Sequence, residues 1–405
     1  MESLQLQAAL LKAVREMGFD KPTDIQTLCI PEIRKGHDIV GQSSTGSGKT
    51  AAFGLPLLEK IQPRQGIQAL ILTPTRELCV QNNEALNKFA KYAQLHSTAI
   101  YGGVGIQPQI DALQRVEIVV GTPGRILDHL ERGTLRLDRV NYLVLDEADK
   151  MLEMGFIEDV ERIISAVPQH RQTLLFSATM PSEIKRLVKR YLRDPKTITS
   201  EIYVDNSLLN QVYYVIPMRE KFSLLVHLVQ SYPNGISLVF CATRSEVDVV
   251  TRNLKLHGVR AMAIHGGLTQ NKRSIAVDSL RKEHINVLVA TDVAARGLDI
   301  RNISHVYNYD VPKTSDEYVH RIGRTARAGQ EGDAITLLSE RDYENFNRVL
   351  QDRSLTIKRA QLPQFQIARF QRFSRPQGGR FPERPQGRFQ SRGRSQGRFS
   401  RGHRR

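Results

Sequence analysis

Tyr142-Leu143-Val144-Leu145-Asp146-Glu147-Ala148-Asp149 is the stretch that decides the fold. An unbroken apolar run of this length reads as a strand buried on both faces, as in a parallel sheet covered by helices. Two adjacent carboxylates at its carboxyl end can hold Mg²⁺ and orient a water. Upstream, the Gly-rich turn Thr45-Gly46-Ser47-Gly48-Lys49-Thr50 lies between a short strand and a helical stretch from Lys49 through Lys60. Backbone N–H groups of such a turn point at phosphate oxygens, Lys49 reaches the β- and γ-phosphates, and the Thr50 hydroxyl binds Mg²⁺. In this reading Asp146 holds Mg²⁺ and Glu147 polarises the attacking water. Two adjacent acids alone are more often a solvated turn. With the loop upstream they predict hydrolysis of a nucleoside triphosphate. The literal loop pattern has Gly where this chain has Ser43.

Outward from these two features, short apolar and β-branched runs alternate with amphipathic stretches. Residues 38–41, 69–73, 98–101, 117–120, 142–145 and 173–176 read as strands, and Thr75–Tyr92 and Gly155–Ala166 show helical spacing. The periodicity fades around 201–210 and then resumes at 211–216, 237–241, 261–264, 286–290, 304–308 and 334–338. The expected organisation is α/β, with a first domain over 1–202, a linker over 203–209 and a second domain over 210–360. Two such domains on a short linker make a cleft that a hinge motion can close.

Composition narrows the partners. At 405 residues and 40% apolar content the chain suits two globular domains, and no apolar run reaches the roughly eighteen residues of a membrane span. The amino-terminal residues Met1-Glu2-Ser3-Leu4-Gln5 lack the basic-then-apolar pattern of a secretory signal, and Cys29, Cys79 and Cys241 have no metal-ligand spacing. They are expected to be buried reduced thiols in a cytoplasmic protein. Of the +16 net charge, residues 361–405 carry +11, from twelve Arg and the single acid Glu383. That leaves +5 for the rest and points to a polyanion, most simply nucleic acid. Residues 361–405, rich in Arg, Phe and Gly, are expected to be a disordered RNA-binding tail. Phe365, Phe370, Phe373, Phe381, Phe389 and Phe399 are available there to stack on bases.

Further short motifs succeed one another in order. They are Gly18-Phe19-Asp20-Lys21-Pro22-Thr23-Asp24-Ile25-Gln26, the phosphate loop, Pro74-Thr75-Arg76-Glu77-Leu78, Gly102-Gly103, Thr122-Pro123-Gly124-Arg125 and Asp146–Asp149. Ser177-Ala178-Thr179, Val239-Phe240, Ala290–Asp299 and His320-Arg321-Ile322-Gly323-Arg324-Thr325-Ala326-Arg327 complete the set. Over roughly residues 1–340 the chain resembles the DEAD-box ATP-dependent RNA helicases.

That resemblance implies two tandem RecA-like domains, with ATP and Mg²⁺ as cofactors and RNA as sequence-independent partner. It assigns Gln26 to the adenine edge and Phe19 to stacking on the ring. A carboxamide, with donor and acceptor side by side, suits adenine. Thr45, Gly46, Ser47, Gly48, Lys49 and Thr50 would bind nucleotide, and Asp299 the ribose or the domain junction. Arg324 and Arg327 would reach the γ-phosphate, a task that suits a forked, always-charged guanidinium. Asp149, Ser177, Thr179 and His320 would couple hydrolysis to RNA binding. RNA would meet Thr75, Arg76, Gly103, Thr122 and Arg125 in the first domain and Arg244, Gly266 and Thr291 in the second.

The chain departs from the family pattern at two places. Leu4 and Leu6 fit a spaced pair, but the slot for a preceding Phe falls on Met1, and Ser43 stands where Ala is usual. The implied activity is ATP-dependent local unwinding of short RNA duplexes or remodelling of RNA–protein complexes, by a monomer that joins ribonucleoprotein or RNA-decay assemblies. The alternatives are an ATP-gated RNA clamp or annealing factor, and a DNA-directed motor. The biological RNA is not legible.

Overall fold

The computed structural model describes residues 1–43, 47–199, 208–295, 298, 300, 302–326 and 330–372. Seven parallel strands make the first sheet: β1 (Ile39–Gln42), β2 (Ala69–Leu72), β3 (Ser97–Ile100), β4 (Ile118–Gly121), β5 (Tyr142–Leu145), β6 (Gln172–Ser177) and β7 (Lys196–Thr199). Seven more make the second: β8 (Leu209–Val215), β9 (Ile236–Phe240), β10 (Ala261–Ile264), β11 (Val287–Ala290), β12 (Ile303–Asn308), β13 (Gly332–Leu338) and β14 (Lys358–Arg359). The orders are β3-β4-β2-β5-β6-β1-β7 and β10-β11-β9-β12-β13-β8-β14. Each strand of the second sheet occupies the place of the strand seven earlier in the first, so the chain is one architecture used twice.

The apolar run Tyr142–Leu145 behaves as a doubly buried strand should. Leu143 and Leu145 join one core of the first domain, while Val144 joins the core on the opposite face. Leu238 and Phe240 against Val239 repeat the alternation in the second domain. In register, Leu145 pairs with Leu72 and Leu175, and Leu175 pairs with Val40. The carboxyl ends of β1, β2, β5 and β6 therefore share one edge, where parallel α/β sheets present their ligand sites. All three cysteines are free and buried, as expected, and burial pushes the Cys29 and Cys79 thiols up to about 12. Among the described residues no helix is long and apolar enough to cross a membrane.

Three boundaries differ from expectation. The linker ends earlier, because Leu209 is buried and opens β8; residues 203–207 lie outside the described set. The edge strands β7 and β14, absent from the expected strands, are mostly exposed and polar, so no apolar pattern marks them. Residues 361–370, expected within the disordered tail, belong to the fold instead. Ala360 N donates to Tyr213 O, Ala368 N donates to Ser223 Oγ at 3.0 Å, and the Arg369 carbonyl lies 2.9 Å from His257 Nε2. Phe365 and Phe370 pack on the second-domain core, Phe370 against Phe222 with ring centres 4.8 Å apart. These two phenylalanines are thus part of the fold and leave the set expected to stack on bases. Phe373, Phe381, Phe389 and Phe399 lie outside the described residues.

The second domain also holds a buried ionic cluster. Lys221, the first residue of the helix Lys221–Ser231 that comes after β8, is fully buried with its Nζ 2.7 Å from Asp342 Oδ2 and 3.9 Å from Asp310 Oδ1. Arg341 Nη2 reaches the same Asp310 oxygen at 2.8 Å.

Candidate active site

Gly48 opens the helix Lys49–Lys60 with φ +94°, a left-handed conformation that favours glycine. A Cβ there would crowd Gln26 Nε2 and Thr23 Oγ1, two side-chain ends that would have to shift. Those two side chains hold the phosphate loop from outside: Thr23 Oγ1 donates to Ser47 O at 2.8 Å and Gln26 Nε2 donates to Gly48 O at 3.1 Å. Gln26 Oε1 accepts from Thr23 N, closing a capping box on the helix Asp24–Arg34. The buried carboxamide keeps one N–H and one lone pair beyond these bonds, the pair an adenine edge requires. Phe19 is half-buried with its ring 6.1 Å from that of Phe89. Met1, in the slot expected for an aromatic, is buried, and its amine donates to Asp20 O. Ser43 is buried too, and its hydroxyl accepts from Ser47 Oγ at 3.0 Å. Thr45 and Gly46 lie outside the described residues.

Lys49 is buried and donates to Ser43 O at 3.2 Å. Thr50 Oγ1 donates to Asn82 Oδ1 at 2.9 Å, and Asn82 Nδ2 donates to Asp146 Oδ2 at 2.8 Å. Among the described residues Asp146 Oδ1, which is buried, has no hydrogen-bond partner. Burial pushes the Asp146 carboxyl up to about 6, against the attraction of Lys49. An unpartnered carboxylate oxygen near a Thr hydroxyl fits a hard divalent cation, which takes oxygen ligands. Glu147, also buried, sits at φ +53° as the residue that opens the helix Ala148–Glu153. A bulky residue in that region costs on the order of 1–3 kcal/mol, and such strain clusters at working sites.

Asp149 is brought together with Ser177 and Thr179. Its Oδ2 accepts from Ala178 N, Thr179 N and Thr179 Oγ1 at 3.2, 3.0 and 3.1 Å, while Ser177 Oγ accepts from Asp149 N and donates to Thr179 O. Burial opposes its charge, but Lys150 and the Thr179 amide outweigh burial and hold the carboxyl below its usual range. His320 comes from the second domain, and its Nδ1 lies 3.1 Å from Lys150 Nζ, one residue along from Asp149.

Arg324 is buried and its Nη1 donates to Leu298 O at 3.4 Å. Its neighbour Arg321 is committed inside the domain, with Nε and Nη2 on Asp292 at 2.6 and 2.8 Å and Nη1 on Asn308 Oδ1 at 3.1 Å. Arg327 and Asp299 lie outside the described residues.

Six of the eight residues expected to meet RNA fall in matching pairs after equivalent strands of the two copies. After β2 stand Thr75 and Arg76; after β9 stand Thr243 and Arg244. Thr75 and Thr243 cap their helices by accepting from Leu78 N and Glu246 N. After β3 the Gly103 Cα lies under the Arg76 guanidinium, where a Cβ would come within 2.2 Å of Nη1; after β10 a Cβ at Gly266 would be 3.2 Å from Arg244 Nη2. After β4 comes Thr122, with Arg125 donating to Val104 O at 3.2 Å; after β11 comes Thr291, whose N donates to Ile264 O. Small residues and arginines at strand ends offer backbone and guanidinium groups to phosphates and 2′-hydroxyls without reading bases.

Sequence reasoning missed three residues here. Gln270 Nε2 donates to Glu77 Oε1 at 3.1 Å, and Arg273 Nη2 lies 2.7 Å from Glu77 Oε2, so one face of the helix Gln270–Arg281 clasps the first domain. Glu77 belongs to the motif Pro74–Leu78, but neither partner carried a signal beyond i, i+3 spacing. Asn82 did carry one: it is a carboxamide on the helix face made by Leu78, Cys79, Leu86 and Phe89.

The chain matches the DEAD/DEAH box helicase family over residues 23–187 and the helicase conserved C-terminal domain over residues 220–329. It is similar to the DEAD-box ATP-dependent RNA helicase CshA of Bacillus licheniformis, 47% identical over 367 residues, covering 89% of this chain and 75% of that protein. In structure it resembles Saccharomyces cerevisiae Dbp5 bound to RNA and ADP BeF3, with a TM-score of 0.81 at 31% identity, covering 89% of this chain and 95% of that one. Against a Dbp5 variant bound to Gle1 and IP6 the TM-score is 0.73, again at 31% identity, over 89% and 94% of the two chains.

Proposed function

Because the chain belongs to the DEAD-box ATP-dependent RNA helicases, we propose that it hydrolyses ATP at the carboxyl edge of the first sheet and uses closure of the second domain to deform bound RNA, separating short duplexes or remodelling RNA–protein complexes. The observation carrying this reading is the chain of groups Thr50, Asn82 and Asp146, which ends on a buried, unpartnered carboxylate oxygen. Bound Mg²⁺ would be held by Thr50 and Asp146 and would neutralise charge on the phosphates.

The protein's own groups do the rest. Gln26 and Phe19 fix the base, and loop N–H groups with Lys49 grip the phosphates. Glu147 orients the attacking water and takes up its proton. Arg324 and Arg327 supply guanidinium charge as the γ-phosphoryl leaves ADP. Asp149, wired to Ser177 and Thr179, and Lys150, beside His320, give the carboxylate strand a path to both domains. The greater likeness to RNA- and ADP BeF3-bound Dbp5 than to the Gle1-bound form supports taking the present arrangement as the one that nucleotide and RNA stabilise. Thr75, Arg76, Gly103, Thr122, Arg125, Arg244, Gly266 and Thr291 hold the RNA backbone in this reading.

The test is ATP hydrolysis by the full chain alone, with a single-stranded RNA, and with DNA of the same sequence. RNA should stimulate turnover at least tenfold more than DNA. Equal stimulation would turn the reading toward a DNA-directed motor. Slow turnover with long-lived RNA complexes and no strand separation would turn it toward a clamp.

A further inference from the structure

Asn82 is a side chain for which the proposed chemistry has no assigned task. It is fully buried on the helix Arg76–Phe89, on a face otherwise formed by Leu78, Cys79, Leu86 and Phe89. A carboxamide in such surroundings is unfavourable unless its donor and acceptor are both met. Here both are met, by groups from two other elements: Thr50 at the start of the helix Lys49–Lys60 and Asp146 at the end of β5.

The direction of these bonds matters. A hydroxyl has one proton and two lone pairs, and a cation needs the lone pairs. Asn82 Oδ1 takes the Thr50 proton and so turns the lone pairs of Oγ1 away from itself. Asn82 Nδ2 holds Asp146 Oδ2, which fixes the carboxylate plane and leaves Oδ1, the buried oxygen without a partner, to act as ligand.

We propose that Asn82 is a positioning residue of the nucleotide site: it sets Thr50 and Asp146 so that both present lone pairs to one divalent cation, and thereby determines how strongly Mg²⁺ raises nucleotide affinity. The proposal rests on the nucleotide-site reading above and adds a residue that touches neither nucleotide nor cation. The task needs a neutral group with one donor and one acceptor. A carboxylate would lose the donor and face Asp146 with like charge, and an aliphatic side chain would release both partners.

The experiment is the affinity of the full chain for fluorescently labelled ADP, measured in EDTA and again in saturating Mg²⁺. The wild type should bind more tightly with Mg²⁺. Removing a partner that orients a metal ligand typically costs about 10–100-fold in metal affinity. In Asn82→Leu, the Mg²⁺ enhancement should therefore fall by about tenfold or more, while affinity in EDTA stays within about twofold of wild type, as it should where only an outer-shell partner is lost. Asn82→Ala, which also removes both bonds but strains the packing less, is measured alongside, with melting temperatures for all three proteins. An enhancement retained in both variants overturns the assignment of Asn82 alone. So does an equal loss of affinity with and without Mg²⁺, which would mark a packing role. A wild type whose ADP affinity ignores Mg²⁺ overturns the nucleotide-site reading itself, and the proposal with it.

Discussion

Arg273 Nη2 lies 2.7 Å from Glu77 Oε2, an ion pair between the two domains with side-chain exposures of only 12% and 9%. A pair inside a core is always dry. In the proposed function this one is dry only while the domains are together, because opening the cleft would return both charges to water. Its energetic weight therefore falls on closure and not on the folding of either half.

Arg273→Ala should accordingly leave the melting temperature nearly unchanged while raising the RNA concentration for half-maximal ATPase stimulation at least tenfold. Breaking a buried pair costs about 3–5 kcal/mol, and tenfold needs only about 1.4 kcal/mol, so the shift allows for partial relief by Gln270 and water. RNA titrations of ATPase activity and thermal melts check it. A large drop in melting temperature with an unchanged RNA requirement would place the pair in the fold instead.

Glu147→Gln keeps the shape of the side chain at its left-handed position and removes the anion. Phosphate release should fall by about 10²–10⁴-fold, the usual contribution of a positioned base. ATP-dependent retention of RNA should persist. Near wild-type turnover would remove Glu147 from the mechanism.

The tail divides at the end of the docked segment. Ten arginines come after Arg372. If half of them engage single-stranded RNA, deleting residues 373–405 should flatten the log–log salt dependence of binding by roughly 3.5, at about 0.7 per phosphate contact. Turnover at saturating RNA should stay the same. Deleting 361–405 should in addition lower the melting temperature by several degrees, because Phe365 and Phe370 then leave their places on the second-domain core. Equal melting temperatures for the two truncations would contradict the docked segment.

His129 gives a pH dependence whose sign is set by its surroundings. Burial, with Arg125 acting in the same sense, lowers the basicity of the ring. Both nitrogens lie within hydrogen-bonding distance of partners, Nδ1 2.9 Å from Thr134 Oγ1 and Nε2 3.2 Å from Gln109 Oε1. An unfolded histidine titrates near about 6.5. Below that pH the unfolded chain takes up a proton that the folded chain resists, so the stabilisation is full above about 6.5 and is lost as pH falls through the folded value. Melting temperatures at pH 7.5 and 5.5 should differ less in His129→Gln than in wild type. His305, also lowered by burial, leaves a residual dependence in the variant. Identical pH dependence in the two proteins would count against this account.

The most legible parts of the sequence were those where one local pattern suffices. A doubly buried strand such as β5 announces itself in four apolar letters, and the carboxylates directly after it must emerge at the sheet's carboxyl edge. Gly48 and Gly103 were legible as motif letters, although the reason for glycine there, a φ of +94° and of +84°, appears only in the fold. Arg273 was not legible, since its partner lies 196 positions away; Asn82 stood out as a carboxamide on an apolar helix face, but its partner Asp146, 64 positions away, did not. The docked segment was misread for the same reason. Phe365 and Phe370 sit in a polar, Arg-rich context, and only the face of the helix Lys221–Ser231, with Phe222 and His227, turns them into core. The edge strand β7 escaped because three of its four residues are exposed and Ile198 alone reaches the core.

The duplication gives the Lys221 cluster a further meaning. The helix after β1 opens with Lys49, and the helix after β8, its topological twin, opens with Lys221. Among the described residues Lys49 donates to a backbone carbonyl, a contact that an incoming phosphate would displace in the proposed function. Lys221 is held by Asp342, with Asp310 near the end of β12, the twin of β5, as second counterion. The second copy thus wears an internal carboxylate where the first, in the proposed function, accepts an external anion. If the first copy binds ATP as proposed, the second brings Arg324 and Arg327 to that one nucleotide, while its own matching lysine is already neutralised from within.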